Sequence, residues 1–351
     1  SEESWLQGFA PGSVVESLRV RGAWGRSGKH PSAFAPVAVL GTRGVTFRGE
    51  DDAGVVLTQP GNPELKPEQG RELELGFEAA LLDGRLGLDF TWFKKVAVDA
   101  IVFRQLAPSS GYLVALATNI GETENTGTEL ALYAAALSGP RIQWDWQLNL
   151  STVEGKITKL DEPIIYGVNG DSQRHQEGYP YGAYFSRDYR IDENRNVQST
   201  VEPVFVGHPT PEWEGSLSST LTLFGWLSLY ANLGFAGGHQ QFNSTEEFRC
   251  GYLTGSSLAP YLGICPEIYE RDRDGGRTDA ARIKVAAAED IQYAPWVEDA
   301  DFARLRTVSA RFDIPEAWAS RIGGTRASFT LQAENLALFT NYTGLDPEAN
   351  S

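Results

Sequence analysis

Residues 86–93 read Leu86-Gly87-Leu88-Asp89-Phe90-Thr91-Trp92-Phe93, with an apolar side chain at every even position and mostly small or polar ones between. Such alternation marks a strand with one apolar and one wet face. The preceding segment alternates as strictly: Leu73, Leu75, Phe77 and Ala79 fall on one side, Glu72, Glu74, Gly76 and Glu78 on the other. Only Leu81 to Arg85 separates the two runs, and its Asp83-Gly84 pair predicts a tight hairpin. Strands of soluble domains average about five or six residues. Runs of about ten, at roughly 3.3 Å per residue and a tilt near 45°, cross about 25 Å, the height of an outer-membrane apolar band.

The unit recurs. Thr128–Ala136 pairs with Trp144–Ser151 through Ser138-Gly139-Pro140, Leu217–Leu223 with Leu227–Phe235 around Phe224-Gly225-Trp226, and Phe302–Ile314 with Arg326–Leu336 through Pro315–Thr325. Leu18–Trp24 reads as one strand of an earlier hairpin. The other links, Val96–Thr126, Thr152–Trp213 and Ala236–Asp301, are long and rich in Gly, Pro, Asn, Asp and Tyr. Short turns at one end and long loops at the other predict an all-β, antiparallel transmembrane β-barrel, of which about 10–12 strands are countable here. Residues 152–213 and 236–301 would be its long extracellular loops. Residues 1–351 are expected to form a single domain. No apolar run is long enough for a membrane helix. The nine Trp suit interfacial girdles or, equally, an ordinary sandwich core.

A net charge of −16 without clustered Lys or Arg argues against a nucleic-acid partner. Cys250 and Cys265 sit inside the longest loop, where a bridge would restrain it in an oxidising compartment; two unpaired thiols are the alternative. No metal site is expected, because His30, His175, His208 and His239 are scattered. No nucleophile elbow, zinc-helix motif, phosphate loop or dinucleotide fingerprint is present, so neither enzyme activity nor a cofactor is expected. Asp272–Gly276 and Asp192–Asn196 lack the full calcium-ligand series and read as solvated turns.

The run Asn62-Pro63-Glu64-Leu65-Lys66-Pro67-Glu68, followed by Glu72–Glu78 and Asp83-Gly84-Arg85-Leu86, resembles a stretch of TonB-dependent outer-membrane transporters, specifically the SusC/RagA branch. The resemblance extends in order through Asn119–Leu130, Gly178–Phe185, Asp301–Arg306, Asn335-Leu336 and Tyr342–Glu348. It implies nutrient uptake across a Gram-negative outer membrane, powered through the TonB complex, with a SusD-like surface lipoprotein as lid and oligosaccharides or peptides as substrates. Family members carry a plug and a TonB box, which these residues do not show, so the chain reads as the C-terminal part of a barrel lacking its last strand. Gly76, Gly87 and Gly234 would let strands bend or leave room for a plug, and Asn119–Gly127 would form a turn re-entering a strand. Substrate-contact candidates are Tyr179, Tyr181, Tyr184, Tyr189, Tyr261, Tyr269, Tyr293 and Trp296, whose rings could stack on sugars or cover peptide side chains. A structural or adhesive surface protein and a soluble sugar-binding sandwich are the competing readings.

Overall fold

The computed structural model describes residues 14–47, 49–104, 109, 115–160, 162–166, 172–251, 271 and 275–348. Nine strands form one antiparallel meander: β1 (Val15–Lys29), β2 (Glu68–Leu81), β3 (Leu86–Arg104), β4 (Leu116–Ser138), β5 (Ile142–Lys159), β6 (Trp213–Leu223), β7 (Leu227–Gly237), β8 (Phe302–Ile314) and β9 (Ala327–Thr340). Each pairs with its chain neighbour, so there is no crossover. A separate hairpin, Val39–Phe47 with Glu50–Gln59, stands in the link between β1 and β2. With it, the long strands fall within the expected range. The sandwich reading fails, because this is one curved wall rather than two sheets packed face to face.

Register places the alternation on two clean faces. One row runs Val20, Phe77, Phe90, Leu130, Leu150, Gly215, Phe235, Ala303, Phe339 from β1 to β9. The adjacent row, on the opposite face, runs Arg21, Gly76, Thr91, Glu129, Ser151, Glu214, Ala236, Phe302, Thr340. The first row faces outward: Val20 is 76% exposed and Phe339 62%, as residues meeting lipid must be in an isolated chain. The outward face carries few polar groups, and Trp144 turns its indole N–H to the Ser219 hydroxyl at 2.9 Å.

Turns between β2 and β3, β4 and β5, and β6 and β7 are short and lie at one end of the wall. The first is built on consecutive positive φ values at Leu82, Asp83 and Gly84. At this end Phe224, Trp226, Phe312 and Phe329 form a continuous chain of ring contacts with centroids 6.3 Å apart. Such a girdle suits the interface, where amphipathic rings bridge hydrocarbon and water. The β8–β9 link contains a short helix, Glu316–Ala319, and closes on Gly323 with φ +82°.

At the other end two expectations change. Asn119–Gly127 is not a turn; it is strand, paired except at Gly121, with Ile101 opposite Asn119 and Lys95 opposite Asn125. Its polar groups are satisfied across strands, Lys94 reaching Glu124 at 3.0 Å, so the wall continues beyond the membrane and the links shrink to 105–115, 160–212 and 238–301. Glycines 76 and 234 do leave space, but their neighbours' arginines occupy it: Arg21 lies over Gly76 and Arg306 over Gly234. Leu18–Trp24, for its part, pairs with β2 across a long excursion rather than a hairpin turn.

Leu75→Arg places a charge on the outward face and is expected to destabilise the membrane-folded barrel by about 2–4 kcal/mol. Glu74→Gln, the adjacent residue and facing inward, should stay within about 0.5 kcal/mol. Urea titration of the full-length protein refolded into vesicles, read by heat-modifiable gel migration, checks the contrast.

Candidate functional site

The links 160–212 and 238–301 fold together above the wall. The first contributes a four-stranded sheet (Val204–Gly207, Ala183–Ser186, Gln173–His175, Ile164–Tyr166) and the hairpin Tyr189–Ile191 with Val197–Ser199. The second contributes α1 (Ser244–Gly251), α2 (Asp279–Glu289) and the pair Gln240–Phe242 with Val297–Asp299. Tyr189 from one link and Cys250, Ala287 and Trp296 from the other form a shared buried core, against which Val197, Phe242 and Ile283 pack. The joint is also polar: Ser186 Oγ accepts from the backbone N–H of Tyr293 and Ala294 at 2.9 and 3.0 Å, and the Tyr189 hydroxyl donates to Asp290 at 3.0 Å. Burial, then that carboxylate, pushes the Tyr189 pKa far up.

The assembly buries several residues expected to touch substrate, Tyr189 and Trp296 of them in this core. Tyr184, Tyr189, Tyr293 and Trp296 are all at most 8% exposed, so they build the loop assembly instead of presenting open faces. Tyr179 is half-buried, edge-on to Phe185 at 5.1 Å and tilted on Phe205 at 5.3 Å. Tyr181 sits edge-on to His175 at 5.5 Å and packs on Ile157 and Leu160 where β5 enters the assembly. Tyr261, Tyr269 and Cys265 lie outside the described residues, whereas Cys250 is fully buried and disulfide-bonded.

Residues 341–348 form a strap, which sequence reasoning missed as a site, running from β9 back under the assembly. Arg304 on β8 donates to both Asp346 carboxylate oxygens at 2.6 and 2.7 Å and pairs with Glu348 at 2.8 Å; Arg306 pairs with Glu348 at 2.7 Å. Gln241 donates to the Pro347 carbonyl at 2.6 Å, and Thr343 donates its N–H to Glu298 at 2.9 Å. A Cβ at Gly344 would come within 2.4 Å of the Tyr342 ring, so a larger residue there requires the ring to move. The Asp301–Arg306 and Tyr342–Glu348 stretches, well apart along the chain, are therefore the two halves of one lock.

Above the strap, Thr343 Oγ1 lies 3.2 Å from Glu246 and 2.8 Å from Glu298, so two carboxyls converge on one hydroxyl. Lys284 caps Glu246. Burial opposes ionisation of Glu246, but the ammonium outweighs it and holds its pKa low; burial, with Glu246 adjacent, holds that of Glu298 high. Below the strap, an open concavity of about 630 Å³ on the inward face is bordered by Glu129, Asn149, Ser151, Glu214, Ser216 and His239.

Two outcomes follow. Arg304→Gln removes the Arg304 guanidinium from Asp346 and is expected to cost about 1.5–3 kcal/mol, seen as faster protease cleavage of 341–348 with the wall intact. The raised Glu298 carboxyl stabilises the fold when protonated, a contribution lost as pH rises from its unfolded value through its folded one. Hydrogen exchange in 240–246 and 297–299 should thus quicken beyond the intrinsic rate change between pH 5 and pH 8, and Glu298→Gln should flatten that dependence. The low pKa of Glu246 acts oppositely, and its contribution disappears as pH falls below the usual carboxylate range.

Residues 9–337 match the family described as TonB dependent receptor-like, beta-barrel. Among curated relatives, TonB-dependent receptor P3 of Formosa agariphila is 24% identical over 96% of this chain and 36% of its own length. TonB-dependent receptor P26 of the same organism is 23% identical over 100% of the chain and 38% of its own length. The chain thus spans less than two fifths of these relatives. Among solved structures, the RagAB peptide importer in its closed-closed state superposes with TM-score 0.78 at 20% identity, covering 99% of this chain and 39% of that one. The open-open state gives 0.74 at 21% identity over 99% and 39%. The SusC/RagA resemblance seen in the sequence is matched by this fold, and the chain belongs to the TonB-dependent receptor β-barrel family.

Proposed function

We propose that this barrel segment serves a TonB-dependent outer-membrane importer of oligosaccharides or peptides. The observation that carries the reading is the asymmetry of the wall: three tight turns at one end, and at the other a loop assembly with its own core, strapped to the barrel by Arg304 and Arg306. A passive pore needs no such body; a receptor that must hold cargo before an energised step does. In this reading the links 152–213 and 236–301 face the outside, a SusD-like lipoprotein covers them, and the TonB complex acts through parts of the polypeptide beyond these residues. Half-buried Tyr179 and Tyr181 stay as proposed cargo contacts, and a Cys250–Cys265 bridge would brace the second link. The peptide importer's fold, shared here at TM-score 0.78, supports uptake as the activity.

Cells producing the full-length protein should accumulate a fluorescent oligosaccharide or peptide, and a protonophore should reduce that rate at least tenfold. A surface lipoprotein should copurify in detergent. Uptake indifferent to the protonophore would mean a diffusion channel, and absence of both uptake and lipoprotein would leave an assembly or adhesive role.

A further inference from the structure

The strap has two anchors of different chemistry. On the wall side, Asp346 and Glu348 meet Arg304 and Arg306, whose guanidiniums remain charged at any pH relevant to folding. On the assembly side the anchor is Thr343, and there carboxyl oxygens outnumber the hydrogens that reach them. Thr343 Oγ1 lies 3.2 Å from Glu246 and 2.9 and 2.8 Å from the two oxygens of Glu298. A hydroxyl carries one hydrogen, so it serves one of those three oxygens at a time. Asn243 Nδ2 reaches Thr343 Oγ1 at 3.0 Å but stands 3.4 Å from either carboxyl.

Charge is short at the same place. Lys284 on α2 pairs with Glu246 and neutralises one of the two carboxylates. Glu246 is 5% exposed and in hydrogen-bond contact with Glu298, and two carboxylates sharing one site do not both ionise freely. A proton on Glu298 meets both shortages: it supplies a hydrogen between the carboxyls and leaves one anion for one ammonium. Burial, with Glu246 adjacent, holds the Glu298 carboxyl high, so this contribution is present in acid and lost as pH rises through the folded value. Of the other charged groups packed around the pair, Asp299 accepts from Gln240 at 3.0 Å, and Asp346 and Glu348 face the arginines. Burial keeps the His239 ring and the Tyr184 hydroxyl uncharged near neutrality. Glu247, next to Glu246 on α1, is also held high by burial and needs its own control.

We infer that Glu246, Glu298 and Thr343 form a proton-dependent clasp that holds the strap on the loop assembly. With one proton on the carboxyl pair, Thr343 is bound. When that proton passes to solvent, two like charges surround a single hydroxyl hydrogen and Thr343 lets go. The wall-side anchor does not respond, because ion pairs with guanidiniums need no proton, and Gln241 keeps its bond to the Pro347 carbonyl. Rising pH therefore loosens residues 342–344 from the assembly while 346–348 stay on β8. The inference uses only contacts within the described chain and is independent of the importer reading.

The test is hydrogen exchange on the full-length protein in detergent at pH 5 and pH 8, resolved to single amides and corrected for the intrinsic rate. The Thr343 N–H, which donates to Glu298 at 2.9 Å, should lose protection by about tenfold or more at pH 8. The Glu348 N–H, which donates to Asp346 at 2.9 Å, should change by less than about twofold. Glu298→Gln carries its own hydrogens at every pH and should remove the Thr343 response, whereas Glu247→Gln should keep it. Unchanged Thr343 protection in the unaltered protein would overturn the inference without recourse to a variant, even with 240–246 and 297–299 responding. So would equal loss at both amides, since the strap would then detach as one piece. A Thr343 response that survives Glu298→Gln in protein of normal heat-modifiable migration, or that disappears in Glu247→Gln, would put the titrating group elsewhere and equally overturn it.

Discussion

Hydrocarbon offers no hydrogen bonds, so every backbone N–H and C=O within it must be paired by another strand. The nine-stranded meander meets that demand with neighbour-to-neighbour ladders, and most else in the molecule depends on them. Unbroken register keeps the row from Val20 to Phe339 against lipid and the row from Arg21 to Thr340 inside, one residue apart along each strand. A one-residue slip would exchange the two faces entirely. The outer strands β1 and β9 each pair on one flank in this sheet, which lipid tolerates only where a ladder continues. That agrees with a chain covering less than two fifths of its relatives' length.

Charge is concentrated where the ladder permits it, on the inward face and above the membrane. Arg21 and Arg306 lie across glycines 76 and 234, so missing side chains on one strand make room for long ones on the next. The guanidiniums then organise carboxylates from distant parts of the chain. Arg304 and Arg306 draw Asp346 and Glu348 inward and thereby place Thr343 against Glu298. The ion pairs of Arg304, whose side chain is only 12% exposed, work at lower effective dielectric than surface pairs and are weakened less by salt.

Alternation makes the wall legible in the amino-acid sequence. The runs around Leu75, Phe90 and Leu148 fall on the faces their period predicts, and Asp83-Gly84 marks its turn, because a period of two and a positive φ are local properties. The expectations that fail are non-local. Asn119–Gly127 looks like a turn by composition, yet cross-strand charges such as Lys94 with Glu124 make it strand. Strand β4 extends over 23 residues, at ~3.3 Å each far more than an apolar band requires. Tyrosines in a loop look exposed until a second loop supplies Trp296 and Ala287 to cover them. Nothing local announces that Arg304 will meet Asp346; only the joint resemblance of both stretches to one family hints that they belong together.

The same distinction applies to the polar groups that face inward. Residues with partners, such as Arg304, Asp346 and Thr343, hold the assembly on the wall and follow from the fold's own need for satisfied charge. Glu129 and Glu214, which stand opposite Ser151 from either side, form no ion pair among the described residues. A side chain's partner is legible only where both members of the pair belong to the described chain, as Arg304 and Asp346 do.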